Sequence, residues 1–295
     1  MADDFPAQSG SDADGRSGEW SARGRVARDA LAETWAGLAA VTADLDEAGW
    51  ARPTACPGWD VKDQVSHVIG IERSLLGEAP PVWDAPLGDH VKNDFAAALE
   101  PWVAVRRSRS GAEVRDELLA VTTDRLARLD ALGEEDWARV GFSPAGEVPY
   151  AVFMEVRVFD CWVHEQDVRQ ALGRPGGEGG GASSISVERV QGSMGYVVGK
   201  KAKCPDGKAV RFALQGPGGD GRAVTVRVED GRARVVDGGP DAAPPDVTIS
   251  LSSLDFVRLG CGRVSREEVE AAGGIGVEGD AALATSVLDA MNFMF

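Results

Sequence analysis

The stretch GRPGGEGGGASS, residues 173–184, is the most glycine-rich part of a chain of 295 residues, and it separates two kinds of periodicity. Before it, apolar residues recur at helical spacing and no β pattern is found; after it, they alternate with polar ones. A Gly- and Ser-rich segment across which the pattern changes marks a domain boundary, and the chain is long for a single core. The sequence therefore divides into a tail at 1–20, a helical domain at 21–174, a linker at 175–184 and a mixed domain at 185–295.

In the first domain, Val26, Ala30, Leu31, Trp35, Leu38 and Val41 outline a helix over about 24–45. ARPTACPGWD then breaks the pattern with two prolines and a glycine, and Asp60 is placed to cap a helix over about 61–77. A helical stretch near 90–107 carries a potential break at Pro101. Val114, Leu118, Val121, Leu126 and Leu129 give another helix over about 111–132, SPAGEVP reads as a loop at 143–149, and a last helix runs from about 150 to 172. Four main helices joined by loops, two of them long enough to cross the assembly, predict a four-helix bundle.

Beyond the linker, AVRFALQG, AVTVRVED, RARVVDG and DVTISLS alternate apolar and polar residues between Gly and Asp turns, which predicts consecutive antiparallel strands. Two short helical stretches, a possible last strand IGVEGD and an amphipathic C-terminal helix from residue 281 follow. The pattern is that of a small α+β domain, an antiparallel sheet with helices.

Charge limits the partners. A net charge of −16 opposes both a phosphate-tracking surface and an anionic membrane, and no apolar run reaches bilayer length. The acidic start lacks the basic and apolar regions of a signal peptide and reads as a disordered tail. Four well-separated cysteines, Cys56, Cys161, Cys204 and Cys261, form no CxxC, as expected of free thiols in a cytoplasmic protein. Nothing in the pattern decides between a monomer and a homodimer.

The chain has only three histidines, and one of them, His164, follows Asp160 by four residues in a mostly apolar helix. Residues at that spacing share a helix face and can hold one cation together. His67, in DVKDQVSHVIGIE, also lies among apolar neighbours that should face the bundle core. Two imidazoles and a carboxylate supply three ligands and leave a position open, a catalytic pattern for zinc and equally a donor set for non-haem iron. The ordinary alternative is a buried histidine bonded to an aspartate as part of the core. His90 follows PLGD in a loop-like setting, where a surface or helix-terminal role is expected.

These segments resemble a known family. PTACPGWDVKDQVSHVIGIE and RVFDCWVHEQDVRQALGRP are similar to the metal-helix segments of the DinB-like maleylpyruvate isomerase family of mycothiol-dependent enzymes. GKKAKCPDGKAVRFALQGPGG and LDFVRLGCGRV resemble that family's C-terminal domain, a sterol-carrier-like α+β unit, so the likeness spans nearly everything after residue 24. It implies a DinB-like bundle with metal ligands at His67, Asp160 and His164, a divalent metal, usually zinc, and mycothiol or another low-molecular-weight thiol as cosubstrate. The family's best-described pattern has Glu where this chain has Asp160, one methylene shorter.

The activity implied is thiol attack on a small electrophile, ending either in cis–trans isomerisation or in S-transfer. No catalytic residue beyond the metal centre is identified. Asp167 and Asp63, three after His164 and four before His67, are candidates to orient the ligands; Asp63 is also placed to favour the positive end of its helix. Arg211, Arg258 and Arg263 are candidates for recognising an anionic or sugar part of the thiol. Glu155 and Arg157 are expected to face solvent, Cys161 and the tryptophans Trp59 and Trp162 to pack. A non-catalytic metal- or ligand-binding protein and a non-haem iron oxygenase are the competing readings.

Overall fold

A computed structural model describes residues 17–219, 221–236 and 243–294, and the chain falls into two compact units that meet at Gly177 and Glu178. Most of the tail expected at 1–20 lies outside the described residues; its last four positions already belong to the first helix, α1, Ser17–Val41.

The first unit continues with α2 (Glu47–Trp50), α3 (Val61–Leu75), α4 (Asp94–Ala104), α5 (Gly111–Asp130), α6 (Glu134–Ala138) and α7 (Tyr150–Leu172). The long helices α1, α3, α5 and α7 make the expected four-helix bundle, and side-chain pairs give their directions. Asp130 takes Arg28 and the carbonyl of Ala39 takes Arg115, so α1 and α5 are antiparallel. Trp35 meets Cys161 and Arg23 meets Glu155, so α1 and α7 run parallel. Lys62 reaches Arg109 and Arg73 reaches Glu117, so α3 and α5 also run parallel. Two parallel neighbours joined in sequence require a crossing connection, and residues 76–110 with α4 provide it. Only this one connection crosses; residues 131–149 link the antiparallel α5 and α7.

Two local expectations are corrected. Pro101 does not break its helix: α4 passes through it and ends three residues later, so the lost backbone bond falls in the last turn. SPAGEVP is not a plain loop but half of a hairpin of β1 (Val140–Ser143) and β2 (Gly146–Pro149). Its strands are short and mostly exposed, so they carry no alternation to read.

The second unit begins with a helix that the sequence reading missed. α8, Gly180–Tyr196, takes up the second half of the expected linker and ends in a π-helical turn, Val197–Lys201. Its buried face is lined partly by Ala182, Ser183 and Ser186, which leave little apolar period to detect. The strands β3 (Ala209–Gln215), β4 (Ala223–Glu229), β5 (Arg232–Val236), β6 (Val247–Ser252) and β7 (Ile275–Gly279) form a sheet in the order β5-β4-β3-β6-β7. The expected all-antiparallel sheet is corrected at its centre, where β3 and β6 pair in parallel, Phe212 opposite Ile249. Alternation reports which face a residue takes and says nothing about which strand lies beside it. The inner face, with Val210, Phe212, Val226, Ile249 and Leu251, is buried against helices including α8 and α9 (Ser253–Gly260). α10 (Arg266–Ala271) and α11 (Ala281–Asp289) complete the unit.

Glu117 fastens the crossing segment to the bundle. Its carboxylate accepts from Arg73 at 2.5 Å, from Arg106 at 2.7 and 3.1 Å, and from Arg109. Burial opposes its charge, but Arg106 and Arg73 outweigh that and hold its pKa down at about 2, against an ordinary 4.5. A depressed carboxylate stabilises the fold fully above its unfolded pKa and loses that contribution as pH falls toward its folded one. Glu117→Gln should therefore cost on the order of 2–3 kcal/mol at neutral pH. The gap from the parent protein should close between pH 4.5 and about 2 in urea titrations across that range.

Candidate metal centre

The antiparallel α3 and α7 face each other through a ladder of polar side chains. Gln64 stands opposite His164, His67 opposite Asp160, and Glu72 opposite Arg157. Each helix has a fixed end near this ladder. Asp60 caps α3 by accepting from the Asp63 amide at 2.9 Å, and α7 stops at Gly173, whose φ of 65° suits glycine.

At the middle of the ladder, His67 Nε2 lies 3.3 Å from Asp160 Oδ2, and His164 Nε2 lies 3.6 Å from Asp160 Oδ1. One donor atom from each of these residues lies within 4.8 Å of the other two, and the imidazole centroids are 4.5 Å apart. Ligands at zinc–nitrogen and zinc–oxygen distances of about 2.0–2.2 Å stand roughly 3.3 Å from one another in a tetrahedron. The donor set and its spacing therefore fit a dication. Both imidazoles are buried, while the Asp160 side chain keeps 31% of its exposure, so the carboxylate marks the side from which the centre is reached.

The electrostatics favour ligation. Burial pushes the His67 pKa down against the pull of Asp160, which keeps the imidazole neutral and its lone pair available. Burial also opposes the charge of Asp160, but the Arg157 guanidinium beside it holds its carboxyl well below the usual range. Arg157 Nη1 lies 2.5 Å from Asp160 Oδ2, while its Nη2 and Nε bind Glu72 Oε1 at 2.7 and 3.1 Å. Glu72 has no exposure and takes Arg125 Nε at 2.8 Å on its other oxygen. A chain of four alternating charges thus runs from Arg125 to the Asp160 carboxylate, and Arg157 is buried rather than solvent-facing.

Other expectations resolve residue by residue. Asp167 Oδ2 stands 3.7 Å from His164 Nδ1, but Gln64 Oε1 is in direct hydrogen-bond contact with that nitrogen. Gln64, one turn before His67, gives no signal in the sequence because an uncharged amide is not marked as a histidine partner. Asp63 binds Arg107 at 3.0 and 3.2 Å and not His67 among the contacts of the described residues. His90 is half-buried: its Nε2 lies 3.1 Å from the buried Glu100, which accepts from Trp59 Nε1 at 3.2 Å and is ion-paired with Arg107 at 2.7 Å. The Trp59 ring lies against both ligand imidazoles, at centroid distances of 5.1 and 5.8 Å, and forms a wall of the site. Cys161 points into the core, with Sγ 3.4 Å from Trp35 Nε1, and burial pushes its thiol up to about 12. Glu155 is paired with Arg23.

In the second unit, Arg211 lies on β3, Arg258 on α9 with Asp255 at 3.1 Å, and Arg263 is buried just beyond α9 with Nη1 3.3 Å from the Cys261 carbonyl.

Residues 31–169 match the family model for the mycothiol maleylpyruvate isomerase N-terminal domain, and residues 184–286 match the model for that family's C-terminal domain. Two solved structures share the fold: a mycothiol-dependent maleylpyruvate isomerase and a histidine-to-alanine mutant of it. At 16% identity they cover 89% of this chain and 94% of theirs, with TM-scores of 0.51 and 0.52. No curated protein matches the chain in sequence.

The buried charge chain generates a stability prediction. Glu72→Gln leaves Arg125 without a carboxylate and Arg157 with Asp160 alone, so the urea midpoint should fall by an amount equivalent to about 3–5 kcal/mol. Replacing Glu72 and Arg125 together with Met removes a charge of each sign and should recover most of that loss.

Proposed function

The chain belongs to the maleylpyruvate isomerase family, and on that premise we propose a metal-dependent enzyme that activates a low-molecular-weight thiol, mycothiol, for attack on an electrophilic small molecule. The observation that supports this reading best is the convergence of His67, Asp160 and His164 within 4.8 Å of one another, three protein donors where a closed structural zinc site has four. Zinc is the dication this donor set suits first, with iron the alternative on the same ligands. When bound, the dication favours thiolate over thiol at neutral pH, where a free thiol titrates near 8.5 and is mostly protonated.

The chain's own residues do the rest. His67 presents a neutral lone pair because burial disfavours its imidazolium. Arg157 holds Asp160 ionised and in one orientation, so the shorter side chain still meets both imidazoles. Trp59 closes one side and limits water around the thiol. The thiolate sulfur then adds to a carbon of the substrate's cis double bond, and the π electrons move onto the conjugated carbonyl. Rotation about the resulting single bond and return of those electrons expel the thiolate and leave the trans isomer. Capture of a proton instead releases a thioether, which is S-transfer. Both outcomes share the first step.

Metal analysis of the purified protein should find about one dication per chain, and His67→Ala and His164→Ala should each lower occupancy at least tenfold. Thiol-dependent isomerisation of maleylpyruvate should be lost with it. Thiol recovered unchanged marks isomerisation, and stoichiometric thiol consumption marks S-transfer. Full metal occupancy in both variants would overturn the ligand assignment. Metal bound without thiol-dependent turnover of any electrophile would instead make the protein a binding protein.

A further inference from the structure

His164 can ligate through Nε2 only if its ring proton, in the neutral form, sits on Nδ1. The hydrogen-bond network behind the ring fixes where that proton is, beginning at a residue that touches neither histidine. Thr54 Oγ1 lies 2.9 Å from the Trp59 carbonyl oxygen, two oxygens that approach so closely only with a proton between them. A carbonyl has no proton, so the Thr54 hydroxyl donates its single one there.

That leaves the hydroxyl oxygen as an acceptor, and its two lone pairs are both used. The Cys56 amide donates to it at 3.2 Å, and the side-chain amide of Gln64 approaches to 2.6 Å. The Gln64 atom facing Thr54 must therefore be the NH2 group, which turns its carbonyl oxygen, Oε1, toward His164 Nδ1. An amide oxygen only accepts, so Nδ1 carries the hydrogen. The opposite assignment would leave an unprotonated contact between Thr54 and the Trp59 carbonyl or ask the hydroxyl for two protons. On the other side of the ring, Asp160 Oδ1 stands 3.6 Å from Nε2, a looser approach than the direct Gln64 contact at Nδ1.

We propose that Thr54 and Gln64 are positioning residues that lock His164 in its Nδ1–H tautomer, so that the loop before α3 sets the ligand atom of a histidine on α7. This rests on the assignment of His164 as a metal ligand, but the tautomer itself does not depend on any metal being bound. The turn PTACPGWD thereby does more than lead into the helix. It orders the carbonyl of Trp59, whose ring walls the site, and the same carbonyl starts the relay that ends at the imidazole.

With only three histidines in the chain, ring 15N–1H correlation spectra of the metal-free protein at alkaline pH resolve each imidazole, with His164→Ala giving the assignment. The parent protein should show His164 with a protonated Nδ1 and an unprotonated Nε2. Thr54→Val, which keeps the shape and removes the hydroxyl, should mix the two tautomers, and Thr54→Ser should restore the parent pattern. Gln64→Leu should show the same loss as Thr54→Val. In chelator competition with Zn2+, affinity should drop about 10–100-fold in Gln64→Leu and by a smaller factor in Thr54→Val, with Thr54→Ser near the parent. A parent His164 protonated on Nε2, or a tautomer unchanged in folded Thr54→Val and Gln64→Leu, would overturn the proposal. Failure of the parent protein to bind any dication would overturn the metal assignment instead, and the spectra of the metal-free protein would still decide the tautomer.

Discussion

A glutamate with no exposure at all, held between two arginines, sets the relation of α3 to α7. Glu72 is a charge that burial penalises severely unless it is matched at close range, and only one register of the two helices gives it both Arg125 and Arg157. Sliding α7 by a single residue would rotate Arg157 off the interface by about 100° and leave the buried Glu72 with Arg125 alone. The same register puts His67 level with Asp160 and Gln64 level with His164. The centre's geometry is therefore inherited from a charge match one to two turns away.

Because Arg157 binds Glu72 and Asp160 at once, that match also reaches the site electrically. It neutralises part of the carboxylate that would otherwise hold a dication most strongly, and it fixes the carboxylate's direction. A shorter acidic side chain with an arginine behind it is a different ligand from a free glutamate, even with the same pair of histidines. Tighter orientation comes at the expense of charge donated to the cation.

The parts of this structure legible in the sequence are those written as local repeats. α7 was readable to the residue at both ends, because Pro149 and Gly173 bracket an unbroken helical pattern. The convergence of His67, Asp160 and His164 was readable because histidine is scarce and i, i+4 spacing is geometric. What escaped was non-local or lacked a pattern. α8 buries small residues, the β1–β2 hairpin has short and mostly exposed strands, and the parallel β3–β6 pair depends on a neighbour relation that alternation does not encode. Around the centre, Arg157 was read as solvent-facing because a charged residue usually is, and Gln64 was overlooked because an uncharged amide gives no signal. Both act through partners about 85 to 100 residues away in sequence.

Cys161 sits next in sequence to Asp160, yet its sulfur lies in the core beside Trp35. With its thiol pushed up to about 12 by burial, Cys161 stays protonated at neutral pH. Exchange with an oxidised small thiol needs the thiolate anion as the attacking sulfur. Burial beside Trp35 thereby keeps Cys161 from forming a mixed disulfide that would wedge α1 and α7 apart.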